Sequence, residues 1–349
     1  MIRLIVLAAP DVCSVAKTTW PVSAASMAAD RPDTSAEEKA PLRAKGERIM
    51  RDGNFKEALE IYMRLALDPA DEPRLVGADM SQAVACLRNL NRSNETDAFR
   101  EDVIGVHSDN WRLLFAAARS FYEDQHYGYM VAGRFERGDH RGTGRYVNSF
   151  ARDRVRALQL MFRAMELARQ ENPQDPDRKE LGAFYLEFAA MIMGYSGYQE
   201  AWRLQELTDL SRLPDYEEGY PRYGNTQRGA PVDEEGKPVF HRLPRSFAEA
   251  ASDGERWRRL LEDAARADPG LASRVRIEFA NSLHQQFGVQ TMAWYGWTQE
   301  TDGKTEGESG PFAVHTLSDD ETIARLATGI RRFALPEEFN YIRIFREVA

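Results

Sequence analysis

Gly53-Asn54-Phe55-Lys56-Glu57-Ala58-Leu59-Glu60-Ile61-Tyr62 is the stretch of sequence that decides the fold. It begins with two residues suited to a tight turn and continues as an amphipathic helix, which Asp68-Pro69 then ends. In the preceding helix, Gly46 is small enough to let this helix approach closely. Phe55 fills the space between the two helices, and Ala58 lies where they cross. The spacing therefore predicts a packed helical hairpin around this turn.

The turn and its flanking helices resemble the tetratricopeptide repeat, in which helix pairs stack side by side. A second copy surrounds Gly197-Tyr198, with Ala189 before the turn and Ala201 after it. A third, degenerate copy begins at Asn110-Trp111. Because one hairpin cannot bury its apolar face alone, such repeats must pack against neighbours. Generic helical hairpins with alanine at the contact are the alternative interpretation.

Helical periodicity, interrupted three times, organises the rest of the chain. We predict a mainly all-α fold: an irregular tetratricopeptide-like helical-repeat domain with two short β-hairpin insertions. Within it, 123–150 is predicted as an irregular glycine-rich loop and 198–210 as the partner helix of the second repeat. The predicted segments, in chain order, are a signal peptide at 1–28, a linker at 29–41, the helical domain at 42–210, a loop and hairpin insertion at 211–245, and C-terminal helices at 246–349 with a β-hairpin at 289–317.

Local signatures predict the elements of the C-terminal half. A short hairpin is expected at 231–240, with Gly236 in its turn. The capping box Ser246-x-x-Glu249 predicts the start of a helical pair. A second capping box, Ser318-x-x-Glu321, predicts a helix at 322–333.

Composition and charge argue against a nucleic-acid partner. The chain has 349 residues, of which 43% are hydrophobic and 29% charged, as is typical of globular domains. The net charge is -9, and no concentrated basic surface of the kind that binds nucleic-acid phosphates is visible. No stretch approaches the ~20 apolar residues of a membrane span. We therefore expect no nucleic-acid partner and no membrane span.

The first residues favour export. Met1-Ile2-Arg3 gives a short positive start, residues 4–10 are apolar, and Ser26-Met27-Ala28 offers small residues for cleavage. Asp11 and Lys17 interrupt the apolar region. We predict an exported protein of the periplasm or cell envelope. A mis-assigned start, with a cytoplasmic location, is the alternative.

No catalytic, cofactor-binding or metal-binding residue is predicted, and no cofactor is expected. The six histidines include no His-Glu-x-x-His motif, although His126 and His140 flank the glycine-rich segment and could approach each other. Gly138-x-x-x-Gly142-x-Gly144 lacks the Gly-Lys-Ser/Thr ending of a phosphate-binding loop. The two cysteines, Cys13 and Cys86, are too few for a disulfide framework or a zinc site.

One combination of residues suggests an alternative function. Glycosidases combine a pair of carboxylates with aromatic platforms, and this chain has both residue types. The residues concerned are Asp215, Tyr216, Glu217, Glu218, Tyr220, Trp294, Tyr295 and Trp297. They suggest an envelope enzyme on a helical scaffold that processes glycans. An acidic loop and an aromatic hairpin packed on the helices would account for the same residues.

Eight runs of sequence resemble the amino-terminal helical region of bacterial, planctomycete-type proteins of the alpha-2-macroglobulin family. These runs are Asp52 to Tyr62, Asp68 to Gly77, Asp109 to Leu114, Asp153 to Met161, Glu200 to Gln205, Gly229 to Gly236, Gln286 to Met292 and Asp320 to Gly329. The resemblance spans about residues 45 to 349.

This resemblance implies a helical head placed before macroglobulin β-sandwich domains, which bind or trap proteases. The chain contains neither a Cys-Gln thioester nor room for those domains. The expected function is therefore a non-catalytic interaction or scaffold module of an exported alpha-2-macroglobulin-like system. The expected partners are macroglobulin-type β-sandwich domains or a protease.

Overall fold

The computed structural model describes residues 36–171, 179–194, 201–219, 229–294 and 313–348. Helices dominate these residues, which confirms the predicted fold class. The helices are α1 (Ala36–Arg51), α2 (Phe55–Ala66), α3 (Val76–Asn89), α4 (Thr96–Val106), α5 (Trp111–Tyr122), α6 (Phe150–Ala168), α7 (Lys179–Met193), α8 (Asp253–Ala267), α9 (Ala272–Phe287), the single turn α10 (Thr291–Trp294) and α11 (Tyr341–Val348). The strands are β1 (Tyr127–Val131), β2 (Arg134–Arg137), β3 (Arg145–Asn148), β4 (Glu217–Glu218), β5 (Glu321–Leu326) and β6 (Gly329–Ala334).

The first helix pair has the predicted geometry. Gly53 adopts a φ of 82°, a conformation that favours glycine, and turns the chain between α1 and α2. Gly46 lies so close to α2 that an added Cβ would be 3.1 Å from the Tyr62 ring. Ala58 is fully buried in α2, and Phe55 is half-buried at its first residue. Gly46 and Gly53 thus lie at the close approach and the turn of this helix pair, and Ala58 lies in its core.

The predicted linker at 29–41 is partly helical, because α1 already begins at Ala36 and includes Pro41. Ion pairs stabilise these early turns. The buried Lys39 ammonium lies 2.6 Å from the Asp68 carboxylate, beyond the end of α2. This contact, which the pattern of apolar residues does not show, holds the start of α1 against the turn that follows α2.

The helices form an irregular array in which each packs mainly on its neighbours along the chain. α1 packs on α2, α2 on α3, α3 on α5, α5 on α6, and α7 on both α6 and α8. The short α4 makes fewer contacts. One apolar core runs through these helices, with Trp111, Phe184 and Phe188 among its largest side chains.

The predicted second repeat is wrong in its pairing. Residues 201–205 form a short 3-10 helix and the chain then becomes irregular, so the described part of 198–210 contains no α-helix. α7 instead packs on α8, the next α-helix of the described residues, which begins at Asp253, 60 residues after the end of α7 at Met193. The close approach is made by Gly182, where an added Cβ would be 2.7 Å from that of Asp268. Aromatic packing of Phe188 on Phe247, with ring centroids 5.2 Å apart, extends this contact.

The segment 123–150 forms part of a sheet, so its prediction as an irregular loop is wrong. The antiparallel sheet has the order β2-β1-β3-β4. Its alternating tyrosines follow the two-residue period of a strand. Gly128 permits the close pairing of β1 and β2, because a Cβ there would lie 2.1 Å from the Glu136 carbonyl oxygen.

The C-terminal region contains a β-hairpin where a helix was predicted. β5 and β6 pair antiparallel, with Ala327-Thr328 as the two-residue connection and Gly329 at a φ of 121°. Ser318 does hydrogen-bond Glu321, with Oγ and Oε2 2.9 Å apart, but this contact precedes a strand. The hairpin packs with α9 and α11 around a second, smaller core that includes Phe287 and Tyr341.

The other predicted hairpins have mixed outcomes. Gly236 turns the chain at a φ of 77°, and Val232 pairs with Pro238 in an antiparallel bridge, which confirms the turn at 231–240. For 289–317, the described ends are helical turns, whereas residues 295–312 lie outside the described residues.

The residue that caps α8 lies six positions beyond the predicted Ser246. The Glu249 backbone N–H does donate to Ser246 Oγ at 3.3 Å, but α8 begins only at Asp253. Ser252 caps this helix instead, since its Oγ accepts from the Glu255 N–H at 3.2 Å. The predicted contact therefore forms a local turn ahead of the helix.

Candidate functional site

The inner face of the four-stranded sheet is fastened to the helices by a buried arginine. Arg137 of β2 is 3% exposed. Its guanidinium donates two hydrogen bonds of 2.8 Å to the Asp153 carboxylate on α6. It also donates to Asp97 of α4, at 2.9 Å from Nε to Oδ1. These charge-assisted bonds tie one strand to two helices.

A second buried arginine extends this network. Arg100 of α4 is fully buried and is paired with Asp124, which follows α5. Arg88 also donates to Asp124, at 2.8 Å. The network contains equal numbers of cations and carboxylates: Arg88, Arg100 and Arg137, and Asp97, Asp124 and Asp153. This balance lets charges lie in the interior without an uncompensated one.

His126 lies at the edge of the network but not in a catalytic triad. Its Nδ1 is 2.9 Å from Asp153 Oδ2. The Ser149 hydroxyl donates to the same carboxylate oxygen at 2.6 Å and therefore does not face the imidazole as a nucleophile would. Burial raises the pKa of Asp153, but hydrogen bonds from His126 and Arg137 outweigh it and hold the pKa below its usual value. The arrangement stabilises a buried carboxylate.

The outer face of the same sheet carries a cluster of aromatic rings. Tyr129 pairs across the strands with Tyr146, and their rings meet edge to face with centroids 5.6 Å apart. Tyr127 stacks on Tyr146 at 6.2 Å. All three rings are half-buried. We call this cluster, with His140, the sheet face.

His140 closes one end of the sheet face. Its Nδ1 lies 2.9 Å from Glu136 Oε2, and its ring lies 5.8 Å from that of Tyr129. Gly142 passes close over the imidazole at a φ of 144°, where an added Cβ would be 3.1 Å from Nε2. The glycine-rich segment therefore shapes this end of the face. His126 and His140 contact different carboxylates, on different elements.

Charged side chains flank the aromatic rings. Arg134 shares the register of this face and is exposed. Asp139 lies beside the rings, with Oδ1 3.4 Å from the Tyr127 hydroxyl. Tyrosine and arginine dominate the energetics of many protein interfaces, because they combine large contact area with polar groups. Tyrosines in the sheet face and the flanking Arg134 are therefore residue types that are enriched at such interfaces.

We compared the chain with models of protein families, with curated proteins and with solved structures, and none of the three comparisons found a match. Within the described ranges, no helix is both long and apolar enough to cross a membrane. Nor does that part of the chain hold a group of three or more His, Cys, Asp or Glu side chains arranged to bind a metal ion.

The residues of the predicted second repeat are only partly described. Ala189 is fully buried in α7 and Ala201 is buried in the short helix at 201–205. Gly197 and Tyr198 lie outside the described residues. Ala189 and Ala201 thus serve the core, while Ala189's helix packs on α8.

The described residues of the glycan-processing alternative belong to two different parts of the fold. Tyr216 packs on the inner face of the four-stranded sheet, with its ring stacked 4.4 Å from that of Phe135. Glu217 and Glu218 are exposed on β4. The turn that includes Trp294 packs on β5 of the other sheet. Tyr220, Tyr295 and Trp297 lie outside the described residues.

Sequence reasoning did not identify the sheet face. The signal was present in the alternation of Tyr127, Tyr129 and Val131, which a two-residue period would have detected. The five glycines of 128–144 concealed it, because such a density is typical of loops.

Proposed function

We propose that this chain is a non-catalytic protein-interaction module that binds a partner protein through the sheet face. The observation that carries the proposal is the contrast between the two sides of one sheet. Its inner side is fixed to α4 and α6 by the buried Arg137, whereas its outer side carries three half-buried tyrosines and, at one end, His140. A surface held rigidly by its support loses little conformational entropy when it binds.

The helical array supports the same function. Its helices pack mainly on chain neighbours, which is how repeat scaffolds display extended surfaces. The charged groups of the buried network pair with one another, so we interpret the network as stabilising the fold rather than as a catalytic site.

The proposed setting is an exported alpha-2-macroglobulin-like system, and the proposed partners are a macroglobulin-type β-sandwich protein or a protease. The support for this setting is the resemblance of the eight sequence runs and the signal-like pattern of the first 28 residues. The latter lie outside the described residues.

Photo-crosslinking from the sheet face tests the function. Tyr129→p-benzoylphenylalanine places the crosslinker among the tyrosines, and Lys56→p-benzoylphenylalanine places it on the exposed side of α2 as the matched control. After irradiation of intact cells, we expect position 129 to capture a β-sandwich protein or a protease that position 56 does not. Capture from position 56 alone would contradict the sheet face as the surface. Capture from neither position would contradict the proposed function.

A further inference from the structure

Strand β6 presents one row of unpaired backbone groups. Just beyond the ladder, the Leu335 N–H donates to Asp320 O at 2.7 Å. Hydrogen-bonded positions alternate along an antiparallel pair. Phe333 and Arg331 therefore also bond to β5 through their backbones. The positions whose backbone groups point away from β5 are Ile330, Arg332 and Ala334.

Those three positions form an open edge. Among the described residues, none of them has a backbone hydrogen bond outside the hairpin. Arg332 and Ala334 are exposed, and Ile330 is half-exposed. An edge of this kind is a template for an added strand.

The opposite edge of the hairpin, on β5, is already in use. The Ala230 N–H donates to Arg325 O at 2.9 Å, and the Ala327 N–H donates to Ala230 O at 2.8 Å. The Arg325 N–H donates to Thr291 Oγ1 at 3.0 Å. The fold thus satisfies one edge of this hairpin internally and leaves the other open.

The charge of Arg331 indicates which side chains an added strand beside β6 should carry. Arg331 is exposed at the centre of the strand and makes no ion pair with a described residue. The Arg332 guanidinium is already paired with Glu321, at 3.1 Å from Nε to Oε1. An acidic side chain on an added strand would therefore find its partner in Arg331.

A second copy of this chain fits the edge poorly. Two copies of β6 could pair antiparallel about a twofold axis. If the axis passes through position 332, all three open positions pair, and Arg332 lies directly opposite the Arg332 of the second copy. If the axis passes through position 331, the two copies of Arg331 lie opposite each other. Like charges directly opposite each other destabilise a strand pair.

We propose that the open edge of β6 binds an extended, acidic segment of a partner protein as an added strand. Backbone hydrogen bonds to positions 330, 332 and 334 supply the affinity, and Arg331 supplies the preference for acidic side chains. This surface is separate from the sheet face and does not depend on it.

A synthetic peptide tests the edge directly. The probe is fluorescein-labelled Thr-Val-Glu-Val-Glu-Val-Thr, with glutamate replaced by lysine in the control peptide. We expect saturable binding of the acidic peptide by fluorescence anisotropy, about tenfold tighter than the lysine peptide, as one charge-assisted contact supplies. Arg331→Glu should reverse this preference. Absence of saturable binding of the acidic peptide up to about 1 mM, the limit of weak association, would overturn the proposal.

A pair of substitutions at one position isolates the backbone contribution. Arg332→Pro removes an N–H that points away from β5 and so leaves the hairpin ladder intact. Arg332→Ala removes the same side chain but keeps the N–H. We expect Arg332→Ala to retain binding and Arg332→Pro to weaken it about tenfold, as the loss of one hydrogen bond predicts. Equal affinities of the two variants would overturn the proposal.

Modified peptides provide the same test on the unaltered protein, should Arg332→Pro not fold. In two probe peptides, alternate amides are N-methylated, at odd positions in one and even positions in the other. An added strand turns only one set of amides towards β6, so one peptide should bind and the other should not. Equal binding of both would overturn the proposal. Tyr129→Ala should not change peptide affinity, which separates this result from a failure of the sheet face.

Discussion

Asp71 and Asp79 share the guanidinium of Arg43 at the joint between α1 and α3. Arg43 Nη2 lies 2.6 Å from Asp71 Oδ1 and 2.8 Å from Asp79 Oδ2, and the two carboxylate side chains are 0% and 4% exposed. With Lys39 and Asp68, the joint contains two cations and three carboxylates. Burial and the neighbouring Asp71 outweigh the attraction of Arg43 and raise the pKa of Asp79 to about 6.

The raised pKa of Asp79 makes the stability of this joint depend on pH. Between pH 3.8 and about 6, the Asp79 carboxyl group is protonated in the folded state and ionised in the unfolded state. The stabilisation from this proton is complete below the unfolded pKa and is lost as the pH rises through about 6. The free energy of unfolding of Asp79→Asn, relative to that of the parent, should therefore increase from pH 5 to pH 7.5 by on the order of 1–3 kcal/mol. Urea unfolding at both pH values measures this difference.

Asp68 provides the control of opposite sign. Burial raises its pKa, but the hydrogen bond from Lys39 outweighs burial and lowers it. Its stabilisation is present above the unfolded pKa and is lost as the pH falls through the folded one. Asp68→Asn should therefore lose stability relative to the parent at pH 7.5 and less at pH 3.5. If the stabilities of Asp68→Asn and Asp79→Asn, each relative to the parent, change with pH in the same direction, Asp79 is not the group with the raised pKa.

Substitution of Arg137 should loosen the sheet from the helices. Arg137→Ala leaves the buried Asp153 without its two-pronged partner and removes the bonds to Asp97. Loss of one partner from a buried pair costs about 3–5 kcal/mol. Urea unfolding measures the loss, and hydrogen exchange should locate faster exchange in β1 to β3. Arg134→Ala, on the exposed side of the same strand, should leave both unchanged. An Arg137→Ala protein as stable as Arg134→Ala would contradict the structural role of the network.

The sequence alone predicts those helices whose apolar residues follow a helical period and no other. Apolar residues at helical spacing predict helices at 56–67 and 110–122, and the bounds of α2 and α5 agree with them to within one residue. The hairpin β5–β6 was missed because Thr322-Ile323-Ala324-Arg325-Leu326 fits either period over so short a run. The two-residue connection before Gly329 distinguishes a hairpin from a helix, but it is recognised only once the two strands are seen to pair.

The site was less predictable than the fold, because its contacts join distant parts of the chain. Arg137 bonds Asp97, 40 residues earlier, and Asp153, 16 residues later. Neither spacing follows a helical or strand period. In the sequence, Arg137 is one of several arginines in a polar segment, and only the folded sheet distinguishes it from the exposed Arg134.

The close approach at Gly46 yields a prediction about helix glycines. A Cβ at Gly46 would lie 3.1 Å from the Tyr62 ring, whereas a Cβ at Gly105 of α4 would meet no atom within 4 Å. Gly105→Ala should stabilise the protein by up to about 1 kcal/mol through helix propensity. Gly46→Leu should instead destabilise it by about 1–3 kcal/mol by overpacking. Thermal unfolding of the two variants measures the difference, and a gain for both would contradict the predicted close contact of α1 and α2.

Asp253, the first residue of α8, should fix the irregular segment that replaces the predicted helix at 198–210. Its carboxylate accepts from the Thr208 N–H at 3.1 Å and lies 3.4 Å from Arg154 Nη2 on α6. Asp253→Ala would leave the largely buried Arg154 and Arg256 without this partner, so we expect a loss of about 3 kcal/mol in urea unfolding. Hydrogen exchange should increase at Thr208 before global unfolding. Asp209→Ala, in the same segment but exposed, is the matched control and should leave the unfolding midpoint unchanged. Equal midpoints for Asp253→Ala and Asp209→Ala would show that the segment is held by apolar contacts alone.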